Sequence, residues 1–330
     1  MNTKIKTILV IIPHRGIGDV IYHLPLLKTL YKNYNTKITI ISNKENKSKD
    51  ILKEESFLGK IIYFNFNRTN IFDYFLKFIE LRKKINNLNT DILILTDPSK
   101  RLVIPIFFCK AKEKIYLGIK SFKDVFLTKK KFRKIPLASH IINLIRSLKL
   151  KNPDYSFKLN RYWNIKKINY NKFLKKPFIF FSLDSHHNQN NWNINGFKKI
   201  IDKINSATIF INTSPNNLKF FKKDLFQYFY KKNVIFTSKF SIRKLIKIIS
   251  NCRIIIGNES GPICIGAALN KKVISIYSEK HTKPESKLIS KKIKYFNSTK
   301  LSEKVIINNI NKIAQKILSN NWRRERDSNP

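Results

Sequence analysis

Cysteine is scarce in this chain: Cys109, Cys252 and Cys264 stand far apart, with no CxxC pair and no Cys/His spacing. Neither a zinc site nor a disulfide framework is readable, which suits a reducing compartment. Long apolar runs are missing too, since nothing approaches the ~18 residues of a membrane span. The stretch Ile8 to Ile12 behind Lys4 and Lys6 imitates a secretory signal, but it is short and lacks a small-residue cleavage site. It is expected as a buried first strand. No Gly-Lys-Ser/Thr follows the early glycines, which excludes a P-loop, and the GxGxxG fingerprint is incomplete. A DxD-like pair to hold a metal is absent, as are short-period repeats and low-complexity linkers.

Acidic residues number 21 against 66 Lys and Arg, giving a formal charge of +45 in 330 residues. Such a charge invites a nucleic-acid reading, because cations neutralising phosphates dominate that affinity. The distribution argues against it: lysines are spread along the whole chain and accompanied by many Asn, Ile and Phe. That mixture fits a coding sequence drifting toward A and T. Compositional drift and an anionic partner both remain open, and a basic surface would be drawn to phosphorylated lipid or an anionic leaflet.

An apolar fraction of 42% with 12% aromatics describes a globular protein long enough for two α/β domains. Ile- and Val-rich runs alternate with helical patterns, the mark of parallel sheets covered by helices. In the first half, strands are expected at 7–13, 37–42, 60–65, 91–96 and 114–118, with helices at 19–33, 46–55, 71–88 and 99–110. A second series has strands at 178–183, 207–212, 233–237, 253–257 and 273–277, and helices at 195–205, 214–231, 241–251 and 262–269. A last helix is expected over 302–319. The fold class is α/β, with two Rossmann-like doubly wound domains facing a central cleft. Residues 1–155 form the first, 156–176 a linker, 177–300 the second and 301–321 a C-terminal helix. In the tail, 322–330, Arg replaces Lys and apolar residues vanish; it reads as a frame running into a transfer-RNA gene, without function.

Two turns carry chemistry. In Pro13-His14-Arg15-Gly16-Ile17-Gly18-Asp19-Val20, Gly16 and Gly18 permit a tight strand-to-helix turn and close approach to a ligand, with Asp19 at the helix start. Asp19 either faces a ligand or merely caps the helix. In Gly257-Asn258-Glu259-Ser260-Gly261-Pro262, Ser260 is placed to cap, Pro262 suits the first helical turn, and Gly266, Ala267 and Ala268 let the helix pack close to the sheet. The N–H groups there suit a nucleotide pyrophosphate, and Glu259 suits hydroxyls of a ribose or sugar. A purely structural turn is the alternative.

Together these segments carry a resemblance. Arg15 to Val20 followed by His23-Leu24-Pro25-Leu26-Leu27 resembles the opening of glycosyltransferase family 9, the lipopolysaccharide heptosyltransferases. Gly257 to Pro262 with Ala267-Ala268-Leu269 is similar to that family's donor-site signature. Landmarks fall in order between them: Asp97 to Arg101, Gly118, His140 to Leu150, and Asn191-Trp192 with Gly196-Phe197. The match is collinear over residues 5–280.

The resemblance implies a GT-B fold and inverting, metal-independent transfer of heptose from ADP-heptose to a lipopolysaccharide core. It makes Asp19 the catalytic base, gives the diphosphate to Ser260, Gly261 and Pro262, and sets Asn258, Glu259 and Trp192 at the donor. No cofactor is implied beyond the donor substrate. The partners implied are a nucleotide sugar, a lipopolysaccharide or lipid-linked glycan acceptor and an anionic membrane, with no nucleic acid, at the cytoplasmic face of the inner membrane. Two departures stand out. Gln189, Asn190 and Asn191 occupy the place of a family Lys, and Cys264 that of a His. Arg15, Lys100 and Arg101, with the glycines of the first turn, are candidates for phosphate or acceptor contact. A family relative using another nucleotide sugar, or a degenerate non-catalytic sugar-nucleotide binder, are the alternatives.

Blander readings cover the rest. His186 and His187 with Asp184 suggest a metal cluster, but adjacent histidines point apart, and donor contact from this loop is preferred. Lys129 to Lys131 read as a solvated loop. The stripe Phe72, Phe75, Phe78 and Ile79 has helical spacing and is expected in the core. Trp192 either lines the cleft or packs the next helix.

Overall fold

Among the described residues of the computed structural model every strand pairing is parallel, and the central strands are buried at each residue. Only sheets covered on both faces allow this. The structure describes residues 5–67, 69–97, 99–117, 136–160, 176–185, 191–213, 234–278 and 284–326. Two units divide the chain, Met1–Phe157 and Lys158–Pro330.

The first unit runs β1 (Ile8–Ile12), α1 (Ile17–Tyr34), β2 (Ile38–Ser42), α2 (Ser48–Ile51), β3 (Leu58–Tyr63), α3 (Ile71–Asn86), β4 (Thr90–Leu95), α4 (Lys100–Phe107), β5 (Ala111–Tyr116) and α5 (Leu137–Ser147). Its strand order is β3-β2-β1-β4-β5. Leu9, Ile11, Leu93 and Leu95 form one core with Leu81, Ile85, Leu102, Val103 and Ile106 of α3 and α4. Each such side chain contributes roughly 1.5–3 kcal/mol over remaining exposed. The unit extends to Phe157 because residues 152–154 clasp α1. Thr29 Oγ1 donates to Asp154 O at 3.1 Å, Asn33 Nδ2 donates to Asn152 O at 3.0 Å, and Lys32 pairs with Asp154 at 2.8 Å.

The second unit runs β6 (Phe178–Ser182), α6 (Ile194–Asp202), β7 (Thr208–Asn212), β8 (Val234–Phe236), α7 (Ile242–Asn251), β9 (Ile254–Asn258), α8 (Gly261–Ala268), β10 (Lys272–Tyr277), β11 (Ile293–Asn297) and α9 (Glu303–Arg326). Its order is β11-β10-β9-β6-β7-β8. α9 places Ile306, Ile310 and Ala314 in a core shared with Phe197, Ile200 and Ile201 of α6.

Strand order changes direction between β1 and β4 in one sheet and between β6 and β9 in the other. At such switch points the loops diverge to opposite faces and leave a crevice beyond the carboxyl ends of the strands. The segment after β1 carries Arg15 to Asp19, and that after β9 carries Glu259 to Gly261.

Several expectations are corrected. The helix expected over 46–55 is a 3₁₀ turn at Lys44–Asn46 and the four-residue α2. Between them Lys47 turns left-handed at φ 55°, and the Asn46 side chain accepts Ser48 N–H. β11 was not anticipated, because Ile293-Lys294-Tyr295-Phe296-Asn297 is short and lies among lysines. The final helix continues to Arg326, past the start of the tail. The stripe on α3 is not core: Phe72 is 69%, Phe75 56% and Ile79 60% exposed. The expected helix at 214–231, Lys129 to Lys131, His186 and His187 lie outside the described residues.

Candidate functional site

In the first unit, Gly16 is the N-cap of α1 and Asp19 its third residue. Asp19 Oδ2 accepts the Gly16 N–H at 2.8 Å, and Asp19 N donates back to Gly16 O at 3.2 Å. A Cβ on residue 16 would stand 2.7 Å from that Oδ2, so glycine is what lets the carboxylate fold back. The capping reading of Asp19 is therefore realised. A carboxylate has about four acceptor positions on two oxygens, and the capping bond takes one of them.

Beneath this turn sits His23, fully buried, with Nδ1 2.6 Å from Asp19 O and Nε2 2.8 Å from Thr96 Oγ1. Burial, reinforced by the nearby His14 ring, pushes its pKa down to about 3. The ring is neutral at ordinary pH. Because a carbonyl only accepts, Nδ1 carries the hydrogen, and Nε2 faces the Thr96 hydroxyl, whose one hydrogen is shared between this nitrogen and Ile11 O at 2.8 Å. His23 thus ties the start of α1 to the end of β4 across the switch point. His14 leans on it with ring centroids 5.5 Å apart and holds Nε2 3.9 Å from Asp97 Oδ2. Sequence reading missed His23 and Thr96 as supports. The available signal was a histidine inside an otherwise apolar helical run. Arg15 is half exposed and 3.9 Å from Glu45, and Arg101 is exposed on α4. Lys100 opens α4, but its side chain lies outside the described residues. A hollow of about 290 Å³ lined by Lys6, Lys37 and Lys60 opens at the amino ends of β1 to β3, the opposite end of the sheet from Asp19.

In the second unit, Gly257 faces Ser182 across the β6–β9 pair, and a Cβ there would lie 2.2 Å from Ser182 O. Only glycine permits this approach. Gly266 sits against Ile255 and Val273, so α8 packs close on its sheet. Ser260 occupies the N-cap position, yet its hydroxyl makes no capping bond and instead meets Ser182 Oγ at 2.9 Å. The capping expected of Ser260 is corrected accordingly. The first turn of α8 therefore has no side-chain cap from Ser260, and because Pro262 lacks an N–H the backbone donors at this positive end of the helix dipole are those of Gly261 and Ile263. Glu259 is fixed from both sides. Its Oε2 accepts Ser275 Oγ at 2.6 Å and its Oε1 accepts Ser286 N at 2.9 Å. Ser286 in turn meets Tyr295 Oη at 2.9 Å, and burial pushes that phenol well above its usual range.

Asn258 and Trp192 turn inward. Asn258 is fully buried, accepting Trp192 N–H at 2.8 Å on Oδ1 and donating from Nδ2 to Leu183 O. It is a strut joining the end of β9 to the segment after β6. The Trp192 ring is 7% exposed, stacked edge-on to Phe197 at 4.9 Å, and lies over Gly196, where a Cβ would meet it at 2.4 Å. Of its two readings, packing is the one observed, and Asn258 likewise turns toward the segment after β6. Asp184 accepts from Thr213 Oγ1 at 2.8 Å. Cys264 is buried in α8. Among the described residues no three His, Cys, Asp or Glu are grouped to hold a metal ion.

Comparison with known proteins places the chain in a family through a stretch that includes the turn after β9. The profile of glycosyltransferase family 9 (heptosyltransferase) matches residues 80–312. No curated protein matches by sequence. Among solved structures, the glycosyl transferase family 9 protein from Veillonella parvula DSM 2008 is similar, with 17% identity, TM-score 0.73, and 96% of this chain and 98% of that one covered. The E. coli ADP-heptose lps heptosyltransferase II gives 13% identity and TM-score 0.68 over 94% and 99% of the two chains. The E. coli heptosyltransferase WaaC with ADP gives 13% and 0.70 over 93% and 99%. The two-sheet α/β fold is thus of the GT-B type.

Proposed function

Because the chain belongs to glycosyltransferase family 9, we propose that it moves heptose from ADP-heptose to a lipopolysaccharide core acceptor by an inverting, metal-independent displacement at the cytoplasmic face of the membrane. Asp19 takes the proton from the acceptor hydroxyl as that oxygen attacks the anomeric carbon. The bond from that carbon to the diphosphate oxygen breaks, and ADP leaves with the electron pair. The first turn of α8, at Ser260, Gly261 and Pro262, stabilises the charge gathering on the departing diphosphate. Glu259, held by Ser275 and Ser286, accepts from hydroxyls of the donor. Arg15, Lys100 and Arg101 supply positive charge on the acceptor side.

One observation carries this reading: an N-terminal helical turn at a topological switch point, left without side-chain capping. The test is a thermal-shift screen against ADP, UDP, GDP and CMP. Ligand at 100 times its dissociation constant stabilises by ~2.7 kcal/mol, and ADP is expected to stand out. Selective stabilisation by UDP would instead establish a family relative using another nucleotide sugar. That second reading is favoured by Asn191, whose Oδ1 is bound to Ser185 N at 2.8 Å where the family carries a nearby Lys, and by Cys264 in place of His. ADP binding without turnover would mark a degenerate, non-catalytic binder.

A further inference from the structure

The exposed apolar face of α3 and α4 is unexplained by the transfer reaction. Ile71, Phe72, Phe75, Leu76 and Ile79 are 77, 69, 56, 53 and 60% exposed. At 100° per residue they occupy one arc of about 140°. α3 reaches its own core through Leu81 and Ile85, from a neighbouring arc. The apolar surface of this helix is therefore wider than the sheet beneath it can cover. Phe107 and Phe108, 47 and 55% exposed, extend the patch from the end of α4. Their rings are 5.5 Å apart, and Phe108 lies 6.5 Å from Phe78 of α3, so the two helices share one surface. At ~200 Å² per ring, the four exposed phenylalanines alone leave on the order of 400 Å² open. That already matches the largest apolar patch of a typical monomer, about 300–600 Å².

Charge identifies the occupant. Both acids of α3 are paired within the helix, Asp73 with Lys77 at 2.8 Å and Glu80 with Lys84 at 2.6 Å. Arg82 and Lys83 are exposed and continue the apolar arc toward the carboxyl end of α3. Lys114 holds its ammonium 5.8 Å above the Phe107 ring. A formal charge of +45 on each chain opposes a second copy on the same face. A projecting ridge of aromatic and aliphatic side chains edged by cations is what enters the headgroup boundary of a bilayer, where anionic lipid adds electrostatic attraction.

We propose that the α3/α4 face docks the first unit on an anionic lipid bilayer, with Phe72, Phe75 and Ile79 inserted and Arg82 and Lys83 at the phosphates. It deepens the proposed transfer by naming the surface on which a lipid-linked acceptor is met, and rests on that reading only for the acceptor. The experiment is co-sedimentation of the full chain with phosphatidylcholine vesicles, with and without phosphatidylglycerol. ADP-induced thermal stabilisation is measured on the same samples. The wild-type protein is expected to bind the anionic vesicles at least about tenfold better than the neutral ones. Phe72→Ser with Phe75→Ser and Ile79→Ser is expected to lower that binding at least about tenfold, leaving the ADP response unchanged. No vesicle binding by the wild type overturns the proposal, as does equal binding by the variant, which would assign adhesion to diffuse charge. A self-association abolished by the same variant also overturns it, naming a second copy as the occupant. Loss of the ADP response in wild type and variant alike would sink the donor assignment instead, leaving the vesicle result readable.

Discussion

Replacing Gly16 by Ala asks whether the Asp19 carboxylate must sit where α1 holds it. The backbone at residue 16, φ −72° and ψ 142°, is open to any L residue, so the exchange introduces no conformational strain. Its one obstacle is the Cβ, 2.7 Å from Asp19 Oδ2. Restoring the ~3.5 Å of an ordinary contact moves the carboxylate by about 1 Å and breaks its 2.8 Å bond to the residue-16 N–H. Loss of such a cap costs ~0.5–2 kcal/mol, or about 2–4 °C in melting temperature per kcal/mol for a domain of this size. A shift of about 1 Å in a reacting group costs ~10²-fold in rate. Asp19→Asn separates the two roles: the amide oxygen still accepts from Gly16, but the side chain takes no proton. That variant is expected to melt near the wild type while losing ~10²–10⁴-fold in turnover. ADP titration, thermal melting and ADP release from donor and acceptor check the pair, and both variants should bind ADP normally. Full turnover in Gly16→Ala, or an active Asp19→Asn, would refute the reasoning.

Gly257→Ala is expected to destabilise the second unit by ~1–3 kcal/mol or more and to weaken ADP binding. Its Cβ meets the Ser182 carbonyl oxygen at 2.2 Å between two central strands, and neither backbone can yield; wild-type melting would disprove the tight approach. His23 makes stability depend on acid. Its folded pKa is depressed to about 3, against ~6.5 in the unfolded chain. The unfolded chain therefore takes up the proton first as pH falls below about 6.5. Stability drops by up to ~1.4 kcal/mol per pH unit from there toward about pH 3. His23→Gln should remove that slope, and parallel urea-unfolding profiles for the two proteins across the window would contradict it.

How far the sequence could be read varied with the kind of contact involved. The two turns were legible because their chemistry is local. Gly16, Gly18 and Asp19 follow directly on a strand, and Gly257 to Pro262 do the same. Trp192 and Asn258 were not, since whether they face a ligand or each other depends on β6 and β9 being neighbours. Those strands are separated by two further strands in the chain. Ser260 illustrates the same limit. Its identity suits a cap, yet its hydroxyl goes to Ser182, a partner 78 residues away.

The amino-acid order by itself determined the alternation of strand and helix, the parallel sheets, and the turns that begin α1 and α8. These follow from periodicity, glycine and helix-start preferences acting within a few residues. Tertiary structure alone decided that both turns lie at switch points, that His23 bridges α1 to β4, and that the aromatic stripe of α3 faces outward. The reason is geometric. Apolar periodicity fixes how wide an apolar arc is, while only the packed sheet determines how much of that arc it can cover.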